Sequence, residues 1–149
     1  MTTGTRYVFD AAQDFHVASR VLEGCSGQRV FPLRSAVVTV AFAVELYLKC
    51  LSELTTGQKP RKLHTLVDLY DCLPDSARGR CRQVAPALTD ILLQHNNTFV
   101  DWRYIFEKQS ETFTLDLQSL RQAASALYRV ITALQPDWET DAIRNCLLE

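Results

Sequence analysis

Glycine, proline and cysteine are scarce in this chain of 149 residues, which contains five of each. Turn-rich all-β folds use more glycine and proline than this, so the composition argues against them. The five cysteines are odd in number and widely spaced, and no two form a Cys-x-x-Cys pair. This pattern fits neither a disulfide framework nor a structural zinc site. It predicts reduced thiols in a cytoplasmic protein, with no metal and no other cofactor.

The sequence also lacks a secretory signal and a long uncharged stretch. Its N-terminal segment contains Asp10 and Asp14 and no continuous apolar core. The longest charge-free run near the middle, Ser35–Val44, has ten residues, whereas a transmembrane helix needs about 20. We therefore expect no interaction with a membrane. Phosphate-binding-loop, nucleophile-elbow and zinc-protease motifs are absent as well.

Charge of one sign does not dominate, because the net charge is only −1. This balance excludes nucleic-acid binding by bulk positive charge. Between residues 57 and 83, however, six basic residues stand against three acidic ones. We identify a candidate basic patch for a phosphate backbone in this segment, formed by Arg61, Lys62, Arg78, Arg80 and Arg82. A solvated charged surface is the alternative interpretation of these residues.

Helical periodicity is what the sequence does contain. Apolar residues recur at spacings of three and four along Tyr7–Leu22, Leu33–Leu54 and Leu117–Leu134. The middle segment is apolar on most sides, which predicts the central helix. In the first segment the predicted buried face consists of Val8, Ala11, Phe15, Ala18 and Leu22.

Shorter helices are predicted between and after these three segments. They cover Leu63–Leu73, Ser76–His95 with a break near Pro86, Phe99–Lys108, and part of the acidic tail at residues 137–149. No strand pair or internal repeat is recognisable. We therefore expect one all-α domain over residues 1–149, folded as an antiparallel up-and-down bundle of four to five main helices.

The first half of the chain carries residues in a recognisable order. A Tyr-x3-Ala-x3-Phe sequence opens the first helix, Ala-x3-Glu-x3-Lys follows at Ala41, Glu45 and Lys49, and His-x-Leu begins at His64. Over roughly residues 7–73 this order resembles the HEPN superfamily of small helical-bundle proteins. The resemblance implies a homodimer of a bacterial defence or toxin–antitoxin system. It also implies RNA, a nucleotide or a small nucleotidyltransferase as the partner.

The nuclease members of that superfamily carry Arg-x4-6-His, and this motif is absent here. The arginines that precede His16, His64 and His95 stand ten, three and thirteen positions earlier. We therefore expect a non-catalytic or degenerate binding protein. Two alternatives stay open: a metal-independent RNase with a non-standard site built from His64 or His95 with Arg103, and a purely structural dimerisation module.

Glu45, Lys49 and His64 are the first candidates for a ligand-binding site. Glu45 lies in the most apolar helix, where it either forms a surface pair with Lys49 or points into the bundle towards His64 or Arg103. His64 is followed by Asp68 and Asp71, which predicts either an oriented imidazole for proton transfer or a helix-end hydrogen bond.

The second group of candidates lies in the aromatic segment at residues 99–107. Trp102, Arg103 and Tyr104 could stack on a base or hold a phosphate, because guanidinium and aromatic groups do both. A packed elbow between two helices is the alternative interpretation. No residue is assigned as a metal ligand.

Overall fold

Helices make up most of the part of the chain that the computed structural model describes, residues 3–24, 33–60, 62–98, 101 and 117–148. Over these residues there is no strand, which confirms the predicted all-α fold. The α-helices are α1 (Thr3–Gly24), α2 (Leu33–Thr56), α3 (Leu66–Asp71), α4 (Asp75–Val84), α5 (Leu88–Gln94), α6 (Leu117–Leu134) and α7 (Asp141–Leu148). A 3-10 turn at Pro136–Trp138 separates the last two.

The central position belongs to α2, against which α1 and α6 both pack extensively. Its buried residues run from Ala36 to Ser52 and occupy most sides of the helix. Valines at positions 37, 38 and 40 have low helix propensity, but burial in the core outweighs that preference. The predicted central helix is thereby confirmed.

Length and composition alone would allow one described helix, α2, to cross a membrane. The qualifying stretch is Arg34–Thr56, and 67% of its apolar window is buried among the other helices. The bundle core therefore already covers most of the apolar surface that a lipid phase would otherwise cover.

Contacts between distant residues establish the helix directions. The Cys50 thiol lies 3.8 Å from the Thr5 carbonyl oxygen, and the Phe15 and Phe42 rings meet at 4.6 Å. Residue numbers thus rise along α1 as they fall along α2, so these helices are antiparallel. The helices α1 and α6 are antiparallel as well. Phe9 lies 5.9 Å from Tyr128 between ring centres, whereas Glu23, later in α1, lies 2.9 Å from Arg121, earlier in α6.

The prediction of the buried face of α1 is wrong: the observed face is rotated about the helix axis by about a third of a turn. The five apolar residues of the predicted face (Val8, Ala11, Phe15, Ala18 and Leu22) are only half-buried. The fully buried face instead contains Phe9 and Ala12 together with polar residues, namely Thr5, Gln13, His16 and Ser19. Two of these polar residues have partners inside: the Ser19 hydroxyl donates to the His16 carbonyl, and Nδ1 of His16 lies 3.1 Å from the Tyr47 hydroxyl.

Proline and glycine delimit the shorter elements. Pro74 precedes α4, and Pro86 lies in the three-residue break between α4 and α5, as predicted. Gly57 follows α2 with a φ of +69°, a conformation that favours glycine, and its N–H donates to Glu53. The predicted helix at Phe99–Lys108 lies outside the described residues apart from Asp101.

The acidic tail packs onto the bundle. Trp138 is buried against Phe9, with 5.2 Å between the ring centres, and Leu147 of α7 is buried as well. The Arg20 side chain donates to the Cys146 carbonyl oxygen at 3.4 Å, which ties α7 to α1. The short amphipathic helix predicted in this tail is thereby confirmed.

Candidate functional site

Glu45 is a buried carboxylate in the central helix, with only 1% of the residue exposed. Its Oε1 atom lies 2.6 Å from Nζ of Lys49 and 3.1 Å from Nδ1 of His64. Both sequence-based interpretations therefore apply in part, because the intrahelical pair forms and the carboxylate also reaches His64. Arg103, the other predicted partner, lies outside the described residues.

Compensation of the buried charge explains this arrangement. A carboxylate removed from water needs hydrogen bonds and a positive charge, and Lys49 supplies both from one turn further along α2. The Oε2 atom has no hydrogen-bond partner among the described residues. Glu45 thus keeps acceptor capacity beyond the contacts with Lys49 and His64.

His64 is the exposed member of this cluster, since 62% of its side chain is accessible to solvent. With Nδ1 directed at Glu45, the Nε2 atom on the opposite side of the ring points away from the carboxylate. The predicted pairing with Asp68 or Asp71 is wrong, because α3 begins only at Leu66 and His64 precedes it. The Asp68 carboxylate instead accepts a hydrogen bond from Thr65.

Asn96 holds the segment that carries His64. Its carbonyl oxygen accepts the N–H of Leu66 at 3.3 Å, and its Oδ1 accepts the N–H of Val67 at 2.8 Å. These bonds satisfy two N–H groups at the start of α3, which Thr65 does not cap with its side chain. Sequence reasoning missed this role, because an asparagine that caps a helix from a distant segment leaves no local signal.

The other two imidazoles are buried. His95 lies at the end of α5 with Nδ1 at 3.2 Å from the Thr98 hydroxyl. His16 lies between α1 and α2, 3.1 Å from the Tyr47 hydroxyl. Burial, together with the positive charges of Arg20 and Arg121, lowers the pKa of His16 to about 3. His64 is therefore the one histidine whose ring is open to solvent.

The remaining predicted site residues are not brought into this cluster. Arg61, Trp102 and Tyr104 lie outside the described residues, as Arg103 does. Lys62 is exposed before α3. On α4, Arg78 and Arg82 share one face whereas Arg80 lies on another, and Arg78 pairs with Asp75. A single basic surface across these positions stays a prediction.

Metal-ligating residues do not cluster in the described part of the chain, where no group of three or more His, Cys, Asp or Glu side chains could hold an ion. The four described cysteines are free. Burial raises the pKa of Cys50 to about 12 and that of Cys81 to about 11, whereas Cys72 and Cys146 are exposed.

A cavity lined by none of the candidate residues was not predicted. It lies among α1, α6, α7 and the break between α4 and α5, and three arginines line it: Arg20, Arg121 and Arg129. The sequence did contain one signal for it, because Arg121, Ser125 and Arg129 recur at intervals of four along one helix face.

Known proteins provide no relative for this chain: no family model, no curated protein and no solved structure matches it. The resemblance to the HEPN superfamily therefore depends on the spaced residues of the first half alone. A function must be argued from the geometry of the described side chains.

Proposed function

We propose that this protein is a non-catalytic, HEPN-like bundle that binds the phosphate groups of RNA or a nucleotide through Lys49 and His64, which Glu45 positions. The observation that carries the proposal is the single exposed imidazole: His64 is accessible and oriented by a buried carboxylate, whereas His16 and His95 are buried. The proposal includes a cytoplasmic homodimer in a bacterial defence or toxin–antitoxin system, with a nucleotidyltransferase as a candidate partner.

One accessible imidazole suits binding better than cleavage. Metal-independent RNA cleavage needs a base that takes the proton of the 2′-hydroxyl and an acid that protonates the leaving oxygen. His64 can serve one of these roles at a time. The carboxylate that contacts it, Glu45, is buried, and Lys49 pairs with that same carboxylate.

The same groups are suited to hold a phosphate. Lys49 has three N–H donors, of which one contacts Glu45, and its side chain is partly exposed. His64 adds a donor at Nε2 when it is protonated, and Glu45 fixes the ring through Nδ1. An anion that bridges Lys49 and His64 would therefore be bound by positioned donors.

Fluorescence anisotropy with a labelled single-stranded oligoribonucleotide tests the proposal. We expect Lys49→Ala and His64→Ala each to weaken binding about threefold to tenfold. The matched control Lys59→Ala should keep the wild-type affinity, because Lys59 is an exposed lysine outside the cluster. Absence of binding by the wild type would refute the proposal and favour the purely structural dimerisation module.

An RNase with a non-standard site is the second candidate, and one observation favours it. The Glu45 carboxylate orients the His64 ring as a general base requires, with Nε2 directed away from it. Incubation of the same oligoribonucleotide with EDTA, followed by gel electrophoresis, decides between the two. Cleavage that disappears in His64→Ala or Arg103→Ala, with folding preserved, would establish the RNase.

A further inference from the structure

The cavity among α1, α6 and α7 has the size of a small-molecule site. Its volume is about 390 Å³, and pockets for small ligands measure about 300–1,000 Å³. None of the residues that line it belongs to the Glu45, Lys49 and His64 cluster. It is therefore a separate site on the bundle.

Positive charge exceeds negative charge around this cavity. Arg20 and Arg121 share a single carboxylate, since Oε2 of Glu23 lies 3.1 Å from one guanidinium and 2.9 Å from the other. Arg129 is exposed and forms no ion pair with a described acidic residue. Three guanidinium groups are thus balanced by one carboxylate, and the excess positive charge attracts a further anion.

The same two arginines act on His16, which lies one turn before Arg20 in α1. Burial is the main reason that the pKa of His16 is lowered, and the positive charges of Arg20 and Arg121 lower it further.

The cavity has an apolar wall, to which Val84, Pro86 and Ile91 contribute from the α4–α5 side and Leu148 contributes from α7. The Val84 side chain is substantially exposed, although it is a large apolar residue. A site lined by both cations and apolar side chains fits a ligand that combines an anionic group with a flat apolar ring.

We propose that this cavity binds a mononucleotide, with the phosphate at Arg20, Arg121 and Arg129 and the base against Val84, Pro86 and Ile91. The Arg121 and Arg129 side chains lie on one face of α6, two turns apart, on either side of Ser125. Bidentate guanidinium contacts from two such positions hold a phosphate in a defined orientation. The Ser125 hydroxyl donates to the Leu147 carbonyl at 3.3 Å and ties α7 to α6 at the cavity.

Isothermal titration calorimetry of the full chain with AMP, adenosine and inorganic phosphate tests this site. In the His64→Ala protein, which lacks the other proposed phosphate-binding cluster, we expect AMP to bind with one molecule per chain. Adenosine should bind at least about tenfold more weakly, because it lacks the phosphate. Arg129→Ala should weaken AMP binding about tenfold. Since Arg129 is exposed, its thermal unfolding curve should be unchanged. Arg34→Ala is the matched control, because Arg34 is an exposed arginine at the start of α2 and does not line the cavity.

The outcomes separate this site from the phosphate-binding cluster. His64→Ala should retain the AMP binding that Arg129→Ala weakens, so the cavity can bind AMP even if the cluster at His64 binds neither RNA nor a nucleotide. No heat of binding for AMP at millimolar concentration would refute the site, as would equal losses in Arg129→Ala and Arg34→Ala. Binding of phosphate and AMP with equal affinity would refute the role of the apolar wall.

Discussion

The Nδ1 atom of His64 lies 3.1 Å from Oε1 of Glu45, so an exposed imidazole is bonded to a carboxylate of the central helix. Lys49 approaches the same oxygen from one turn along that helix. The three residues come from an apolar helix and from the extended segment before α3. This shared oxygen couples the stability of the core to the orientation of an accessible side chain.

Removal of the shared carboxylate should therefore destabilise the fold. Glu45→Ala is expected to lower the free energy of unfolding by about 2 kcal/mol, because Lys49 and His64 lose their common partner in a partly desolvated place. Urea denaturation followed by circular dichroism measures this loss. Asp14→Ala, an exposed carboxylate on α1, should change the stability by less than about 0.5 kcal/mol. Equal effects of the two substitutions would contradict the role of Glu45.

Asn96 should matter for the same site through α3. Asn96→Ala removes the acceptor for the Val67 N–H and is expected to cost about 1 kcal/mol. It should also weaken oligoribonucleotide binding, because the segment that carries His64 becomes less well held. Asn145→Ala, an exposed asparagine on α7, serves as the control. An Asn96→Ala protein with wild-type stability and affinity would exclude this capping role.

Acid should destabilise the protein through His16. The pKa of this residue falls from an ordinary value near 6.5 to about 3 in the folded state, so the unfolded chain binds the proton more readily. The stabilisation due to the neutral imidazole is complete above pH 6.5 and is lost as the pH falls towards 3.

Urea denaturation between pH 7 and pH 4 measures this pH dependence. The loss attributable to His16 should reach about 3 kcal/mol at pH 4, since each pH unit below 6.5 contributes about 1.4 kcal/mol. A His16→Gln protein should show a correspondingly flatter pH dependence. The same slope in both proteins would show that His16 is not the group responsible.

The thiols should separate into two reactive and two protected groups. In a Cys25→Ser background at pH 8, Ellman's reagent should modify the exposed Cys72 and Cys146 within minutes. Cys50 and Cys81, whose pKa values burial raises to about 12 and about 11, should react only after unfolding in guanidinium. Rapid modification of four thiols in the native protein would contradict the described burial.

The half-buried stripe on α1 leads to a prediction about assembly. Val8, Ala11 and Phe15 are partly exposed, and the Phe15 ring packs against Phe42 of α2. If a second copy covers this stripe, Ala11→Glu should convert a dimer into a monomer of 16.9 kDa in light scattering. Val21→Glu, at an exposed apolar residue on another side of α1, should remain dimeric. A monomeric wild type would refute the homodimer.

Much of the fold follows from sequence periodicity, because an apolar repeat of three and four identifies a helix without reference to its neighbours. The long helix that contains Leu117–Leu134 and the break at Pro86 were predicted in this way. The orientation of α1 was not, since His16 and Gln13 rank as surface residues until Tyr47 and the surrounding helices enclose them. Which face of a helix is buried depends on its neighbours as well as on its own residues.

The candidate site shows the same division. Glu45 and His64 were recognisable because a carboxylate in an apolar helix demands a partner. The arginine cavity combines Arg20 with Arg121, about a hundred residues apart, and only the packing of α1 on α6 brings them to one carboxylate. No spacing rule links such positions.

The ring of Phe9 has a consequence for how the chain acquires its structure. It contacts Tyr47 in α2, Tyr128 in α6 and Trp138 in the turn before α7. During synthesis, the first helix must wait for nearly the whole chain to emerge before its largest buried side chain is covered. Folding should thus be a late event, and Trp138 fluorescence should report its completion rather than its onset.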